Sequence, residues 1–475
     1  MKQVTGDPIE SAADRRTCAV CPLLCDDIAI AGTEVAGACS HGRDAIVADA
    51  DATHPEAMEN GAAVSRERAI QAAADRLASA RRVLVTGLAN GTLEAIGVAC
   101  RIAESLGAAV DAGLPESSHA AGPTIARAGE VTAAWEELRD RADLVLFWCC
   151  DPAVTHPRFL ERFVAAPLPD GRPRLSIAVG RAAVFPESST HRHLPLAGRL
   201  AAEAARCLHL RLSGRHAPAF APPDPLACAQ GLYRSRRVSH QSPRREPGDP
   251  GHAPEPLAEP PAEPLAAVSA ALLEAIRSAT CVAIVTSDAD DEVGLEAWSI
   301  VHLVRAIAHE KPAFQVPLGA GLAGGGANVA GAAAACTWKY GAAGAIDRAD
   351  RMGGRFLPGE SAALRLIDRG EVDAVLVLGQ LNATLERAVA GRGPALSLVR
   401  ISAEPQPDAP VAGRSVRLRC ASGIATTGTM LREDGRRVEL RPCRESAAPQ
   451  MADLLADLAA AVRRSLAASS AGDRA

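Results

Sequence analysis

Four cysteines near the amino terminus carry the spacing in this sequence most able to do chemistry. Cys18-x2-Cys21-x3-Cys25 is followed after 13 intervening residues by Cys39. Three thiolates in one tight loop, with a fourth returning from a short hairpin, can reach the corners of an iron–sulfur cube. Tetrahedral zinc is the chemical competitor, since four thiolates serve it equally well, although zinc ribbons usually pair CxxC with CxxC. Free or relict cysteines are the third reading. A disulfide framework is the weakest, because only these four of the 13 cysteines are clustered.

Other groups offer less. Cys149-Cys150 ends an apolar run beside Asp151-Pro152, where a buried small hydrophobe is the commoner role. The glycine run over 319–331 allows close backbone approach to an anion, but lacks the lysine and following Ser/Thr of a phosphate loop. His156-Pro157-Arg158 reads as a helix start, and the charges of LREDGRRVEL read as a solvated hairpin.

The elements that must position these groups alternate. RRVLVTGL, RADLVLFW, RLSIAVG, CVAIVTSD, PAFQVPLG, VDAVLVLG and LSLVRIS read as buried strands, with amphipathic helices such as GTLEAIGVACRIAESLG between them. That alternation predicts parallel sheets covered by helices on both faces, with ligands at the carboxyl ends of the strands. Between 213 and 264 lie 12 of the 33 prolines, which marks a linker or insertion. The expected division is a cysteine-rich segment 1–60, a first α/β domain 61–212, the linker 213–264, a second α/β domain 265–420, and a hairpin plus helix 421–475. Fifty-one Lys and Arg against 56 Asp and Glu, with neither sign in a long block, argue against nucleic acid or an anionic membrane as partner. No signal-peptide core and no run of about 18 apolar residues is present, so a cytoplasmic protein is expected.

The string CAVCPLLCDDIAI with ACSHGRDA resembles the N-terminus of the B-type subunit of formylmethanofuran dehydrogenase, a branch of the molybdopterin oxidoreductases. WCCDPAVTHPRFLERF, NVAGAAAACTWKYG, FLPGE, VDAVLVLG and TMLREDGRRVELR resemble later segments of that polypeptide in the same order. The resemblance implies an N-terminal Fe–S-type subdomain and two Rossmann-like parallel-sheet domains. It also implies a [4Fe-4S] cluster on Cys18, Cys21, Cys25 and Cys39, and a tungsten- or molybdenum-bis-pterin between the domains.

Two departures bear on that site. The family's metal-binding Cys and following His precede a Gly-Pro; here SSHAAGPT puts Ala120 and Ala121 at those positions, and Ser118-His119 could rescue a ligand only if the alignment slipped. The family's Arg-Gly-His loop before Asn-Val reads here as 324–327 before Asn328, with Gly324 and Gly326 in place of the charged groups. Alanine and glycine neither ligate a metal nor move a proton. The resemblance therefore implies that molybdopterin or tungstopterin has been lost. The expected role is that of the B-type subunit in a bacterial formyltransferase/hydrolase complex, which converts formyl-tetrahydromethanopterin to formate through methylofuran. Its expected partners are an amidohydrolase-like formyl hydrolase of the A type and the remaining subunits. An active molybdenum or tungsten dehydrogenase is the alternative.

Overall fold

The computed structural model describes residues 15–32, 34–48, 55–113, 125, 127–181, 183–214, 265–287, 295–348, 354–403 and 414–472. Ala120, Ala121, Ser118 and His119 lie outside them, as does nearly all of the proline-rich stretch.

Runs of Val, Leu and Ile form two mainly parallel sheets, as buried strands should. The first has five parallel strands in the order His191–Pro195, Leu175–Gly180, Leu144–Trp148, Val282–Ser287, Ala313–Leu318. The second has nine. Its parallel centre runs Ala109–Val110, Val83–Thr86, Ala374–Leu378, Ser397–Ser402, Ser415–Arg419, with antiparallel pairs closing both edges.

Alternate residues of each strand enter different layers. Val83 and Val85 pack with Leu376, Leu378, Val399 and Ile401 under the helices Arg66–Ser79, Leu93–Leu106, Val329–Tyr340 and Met451–Gly472. Leu84, Val375, Val377 and Leu398 face the other way, under Ala363–Asp368 and Ala383–Gly391. The five-stranded sheet does the same. Leu144, Leu146 and Trp148 meet the helices Ala201–Leu212, Leu265–Ser278 and Leu295–Ala308, whereas Val145 and Phe147 meet Trp135, Phe159 and Phe163 and the cysteine segment.

The α/β architecture is as the sequence predicts, but the units in space differ from those read along the chain. Strand Leu144–Trp148 pairs with Val282–Ser287, and Val83–Thr86 pairs with Ala374–Leu378. Each sheet therefore takes strands from both sides of the proline-rich stretch. The cysteine segment is likewise not free-standing: Thr17 N donates to the Arg441 carbonyl, the Cys443 thiol donates to the Thr17 carbonyl, and Glu433 N donates to the Pro22 carbonyl. Among the described residues no helix is long and apolar enough to cross a membrane.

Candidate functional site

Strand Arg16–Cys18 runs antiparallel to Cys25–Ala31, and Cys18 stands opposite Cys25. The chain between them turns tightly, with Leu24 N donating to the Cys21 carbonyl and Leu24 at φ +44°. Cys39 caps the helix Ser40–Val47, its sulfur accepting from Gly42 N at 3.4 Å. A Cβ at Gly42 would lie 3.2 Å from the Cys18 sulfur and 3.7 Å from that of Cys39. Gly42 thus keeps open the space between two of the four thiols, and Cys21 interacts electrostatically with both Cys25 and Cys39. The fold brings all four sequence-predicted cysteines into one neighbourhood.

Burial dominates the electrostatics of Cys18, Cys21 and Cys25. It pushes the Cys18 thiol well up, and the Cys21 thiol up to about 12. Burial raises Cys25 too, against the opposing pull of Arg162 and Arg158. Arg158 forks onto Asp27 with two contacts of 2.8 Å, reaches Glu161 at 2.8 Å, and donates to the Gly37 carbonyl. Arg162 donates to Asp26 at 2.6 Å and lies within hydrogen-bond reach of the Cys25 side chain, yet its Nη1 is buried with no hydrogen-bond partner.

These observations test the fit of a thiolate-bound group. The Arg162 guanidinium beside the buried Cys25 sulfur suits an anionic thiolate centre, although its Nη1 also lies 3.8 Å from Asp27 Oδ1, and four sulfur donors are chemically sufficient. Against that, no set of three His, Cys, Asp or Glu side chains among the described residues is already arranged to hold a metal ion. The donor set and its charge environment fit such a group; as they stand, Cys18, Cys21 and Cys25 are packed in the hydrophobic core and Cys39 is partly exposed. Cys443 adds a fourth buried thiol near Cys18, raised to about 11 by burial, which spacing in the sequence could not have signalled.

A second site lies where the sequence places ligands, at the carboxyl ends of the strands in the nine-stranded sheet. A cavity of about 530 Å³ opens there, bordered by Asn90, Gly326, Gln380, Ser402, Cys420 and Gln450 among others. No Asp, Glu, His, Lys or Arg is among its described lining residues. The glycine loop forms one wall. Asn90 holds it by donating to the Gly325 carbonyl at 2.6 Å, and Asn328 Nδ2 donates to the Gly91 carbonyl at 2.7 Å. A Cβ at Gly326 would fall 2.5 Å from the carbonyl carbon and oxygen of Ala89, so this backbone has no room for a side chain at that position. Nothing in the sequence around Cys420 marks it for this wall; burial lifts its thiol to about 12.

Strands Gly428–Leu431 and Arg437–Leu440 form the expected hairpin, and Arg436, Arg437 and Glu439 face solvent as expected, but the charges of Arg432 and Asp434 do not: these two side chains are 2% and 1% exposed. Arg432 donates to Glu136 at 2.8 Å and to Asp434 at 2.7 Å, and its guanidinium lies 4.9 Å from the centre of the Trp135 ring. Asp434 accepts from Trp135 N at 2.9 Å, and Glu433 accepts from Gly319 N at 2.9 Å. The His156-Pro157-Arg158 segment leads into the helix Phe159–Phe163 as expected, with Arg158 at the cap position; the His156 side chain has a second place in the packing. Its ring is fully buried edge-on against Trp135, with Nε2 2.9 Å from a Glu433 carboxylate oxygen, though not aligned for a hydrogen bond. Cys150 behaves as a packed thiol, donating to the Val285 carbonyl at 3.4 Å.

No protein-family model matches the sequence, and no curated protein matches it either. Among solved structures, a chain from the crystal structure of the formyltransferase/hydrolase complex FhcABCD of Methylorubrum extorquens, solved with methylofuran, is similar with a TM-score of 0.64. The identity is 18%, and the match covers 86% of this chain and 99% of that one. This chain therefore has the fold of a chain of that complex, the α/β architecture that the resemblance to the formylmethanofuran dehydrogenase family leads one to expect.

Proposed function

We propose that this chain is the B-type subunit of a formyltransferase/hydrolase complex in tetrahydromethanopterin-linked one-carbon metabolism, and that it acts there as a non-redox structural partner. The hydrolytic and transfer steps then belong to partner subunits, an amidohydrolase-like polypeptide of the A type among them. The observation that carries this reading is the cavity wall at Gly326. The place where the family presents charged groups is lined by neutral residues, and the loop backbone is packed too closely on Ala89 to regain a side chain. The shared fold with a chain of the methylofuran-bound complex supports the assignment to such an assembly. Ala120 and Ala121 support it from the sequence.

In this reading Cys18, Cys21, Cys25 and Cys39 hold a [4Fe-4S] cluster as a staple. When bound, such a cluster ties a segment too short to form its own core, and it can also carry an electron. Arg158 and Arg162 offset the negative charge of the thiolates, and Gly42 leaves room for the sulfurs. That same pair of guanidinium groups favours the second reading, a working molybdenum or tungsten dehydrogenase, because a cation beside a cluster also suits an electron carrier.

Metal analysis of the complex purified without oxygen separates the two. About four iron atoms per chain without molybdenum or tungsten is the expected result. Stoichiometric molybdenum or tungsten, or reduction of a viologen dye with a formyl-furan donor, would overturn the non-redox assignment. Absence of iron would remove the cluster from the proposal and leave the cysteines as packing.

A further inference from the structure

The loop that carries the cysteines is also a wall of the cavity. Ala19 and Val20, the two residues between Cys18 and Cys21, line it together with Gly325, Gly326 and Ala327 of the glycine loop. Ala19 and Leu24 pack with Ala327 and with Met430, Val438 and Leu440 of the hairpin in one small apolar cluster. On a further wall, a Cβ at Gly423 would fall 2.6 Å from the Ala19 carbonyl oxygen, so backbone lies against backbone there.

Glu433 spans the two loops. Its N–H donates to the carbonyl of Pro22, between Cys21 and Cys25, at 3.4 Å, and its carboxylate accepts from Gly319 N, at the start of the glycine loop, at 2.9 Å. A Cβ at Gly319 would stand 2.5 Å from that same carboxylate oxygen, which makes the seat a close one. Just past Cys25 the loop is clamped from outside. Arg158 grips Asp27 in two contacts of 2.8 Å, Arg162 takes Asp26 at 2.6 Å, and Arg436 of the hairpin turn lies 3.7 Å from Asp26.

We infer that metal occupancy of the four-cysteine site sets the state of the cavity: a metal held by the thiolates keeps the Ala19–Val20 wall and the glycine loop packed, and its loss lets both open together. The inference rests on the reading of Cys18, Cys21, Cys25 and Cys39 as metal ligands.

The physical reason is linkage. The cysteine segment is built from strands of three, seven and three residues and one helix of eight, so its local opening costs less than unfolding of the sheets behind it. A metal bound only by the closed segment raises the free energy of that opening, and it protects equally whatever must open in the same step. Glu433 brings the glycine loop into that step, because its backbone is bonded to one loop and its side chain to the other. The coupling is reciprocal, so a molecule that fills the cavity and holds its walls must also strengthen metal retention.

The test is hydrogen exchange, read by mass spectrometry, on the full-length chain in its complex purified without oxygen, before and after iron is stripped by a chelator under reducing conditions, with metal counted in each sample. Peptides covering 319–327 and 428–440 should exchange several-fold faster after stripping, in step with the cysteine segment, while helix Leu295–Ala308 is unchanged. Cys420, the one thiol among the described lining residues of the cavity, should be labelled several-fold faster by N-ethylmaleimide in the stripped sample. Glu433→Ala, which keeps all four cysteines and the backbone bond to Pro22, should retain the metal yet lose the protection of 319–327. Glu433→Gln, whose amide oxygen can still accept from Gly319, should restore it. Iron present in the first sample, with exchange changing only in the cysteine segment, would overturn the coupling and leave the cysteine reading standing, as would a uniform change that includes helix Leu295–Ala308. A chain that holds no iron as purified and takes up neither iron nor zinc would remove both. The wild-type comparison alone decides between these outcomes if a variant fails to fold.

Discussion

Single atoms decide what both sites can hold. At Gly42 a methyl group would sit 3.2 Å from the Cys18 sulfur, closer than a packed side chain tolerates without a shift. Gly42→Ala is therefore expected to lower metal retention at the four cysteines, measured as iron or zinc per chain, with a modest fall in thermal midpoint. Unchanged metal content would show that the sulfurs do not need this space. At Gly326 the obstruction is backbone rather than side chain, which cannot rotate away. Gly326→His should cost about 1–3 kcal/mol by overpacking, read from urea denaturation, and under the proposed non-redox role should confer no viologen reduction. Tolerance of histidine at full stability would mean that the loop can lift off Ala89 and that the cavity is adaptable.

Among the elements, the hairpin at 428–440 does the most to join distant parts of the chain. Its tip is a buried ionic knot: Arg432 serves Glu136 and Asp434 at once while lying over Trp135. Removing one member of a buried pair leaves the others uncompensated, so Arg432→Met should destabilise by about 3–5 kcal/mol, with the unfolding midpoint as readout. The knot also sets a pH dependence. Burial alone would raise the Glu136 carboxyl, but the hydrogen bond and charge of Arg432 outweigh it and hold the group at about 2 instead of 4.5. A lowered folded-state value contributes stability that is fully present above about 4.5 and is lost as pH falls towards about 2. Urea midpoints between pH 5 and pH 2.5 should consequently fall less steeply in Glu136→Gln than in the wild type; parallel curves would remove Glu136 from the pH response.

None of this knot could be read from the sequence. Arg432 and Glu136 are 296 positions apart, and a run such as LREDGRR carries the same composition whether it faces water or fills a junction. What the sequence does show is local. The hairpin turn at Asp434-Gly435, the strand and helix alternation, and the grouping of four cysteines within one loop and helix cap all follow from short-range spacing. The approach of the Arg158 and Arg162 guanidinium groups to Cys25 is invisible to spacing, because more than 130 residues separate them from it.

For the whole molecule, strand order is the property least visible in the sequence and the most consequential. The boundary at 213–264 looks like a division between two domains because each side shows its own strand and helix rhythm. Pairing nevertheless crosses it in both sheets. Leu144–Trp148 is bonded along its length to Val282–Ser287, and Val83–Thr86 lies between Ala109–Val110 and Ala374–Leu378. Neither side can complete a sheet alone. A chain ending at 214 would leave the Leu144–Trp148 edge unpaired, and one beginning at 265 would leave the Val282–Ser287 edge open, each a long apolar strand edge prone to aggregate. A protease site inserted within 215–264 should therefore cut the chain without separating it. The two fragments are expected to co-elute on size exclusion in buffer and to part only in denaturant, whereas either half expressed by itself should be insoluble. Fragments that separate in buffer after cleavage, each soluble and retaining cooperative unfolding, would show that the two sides are autonomous domains after all.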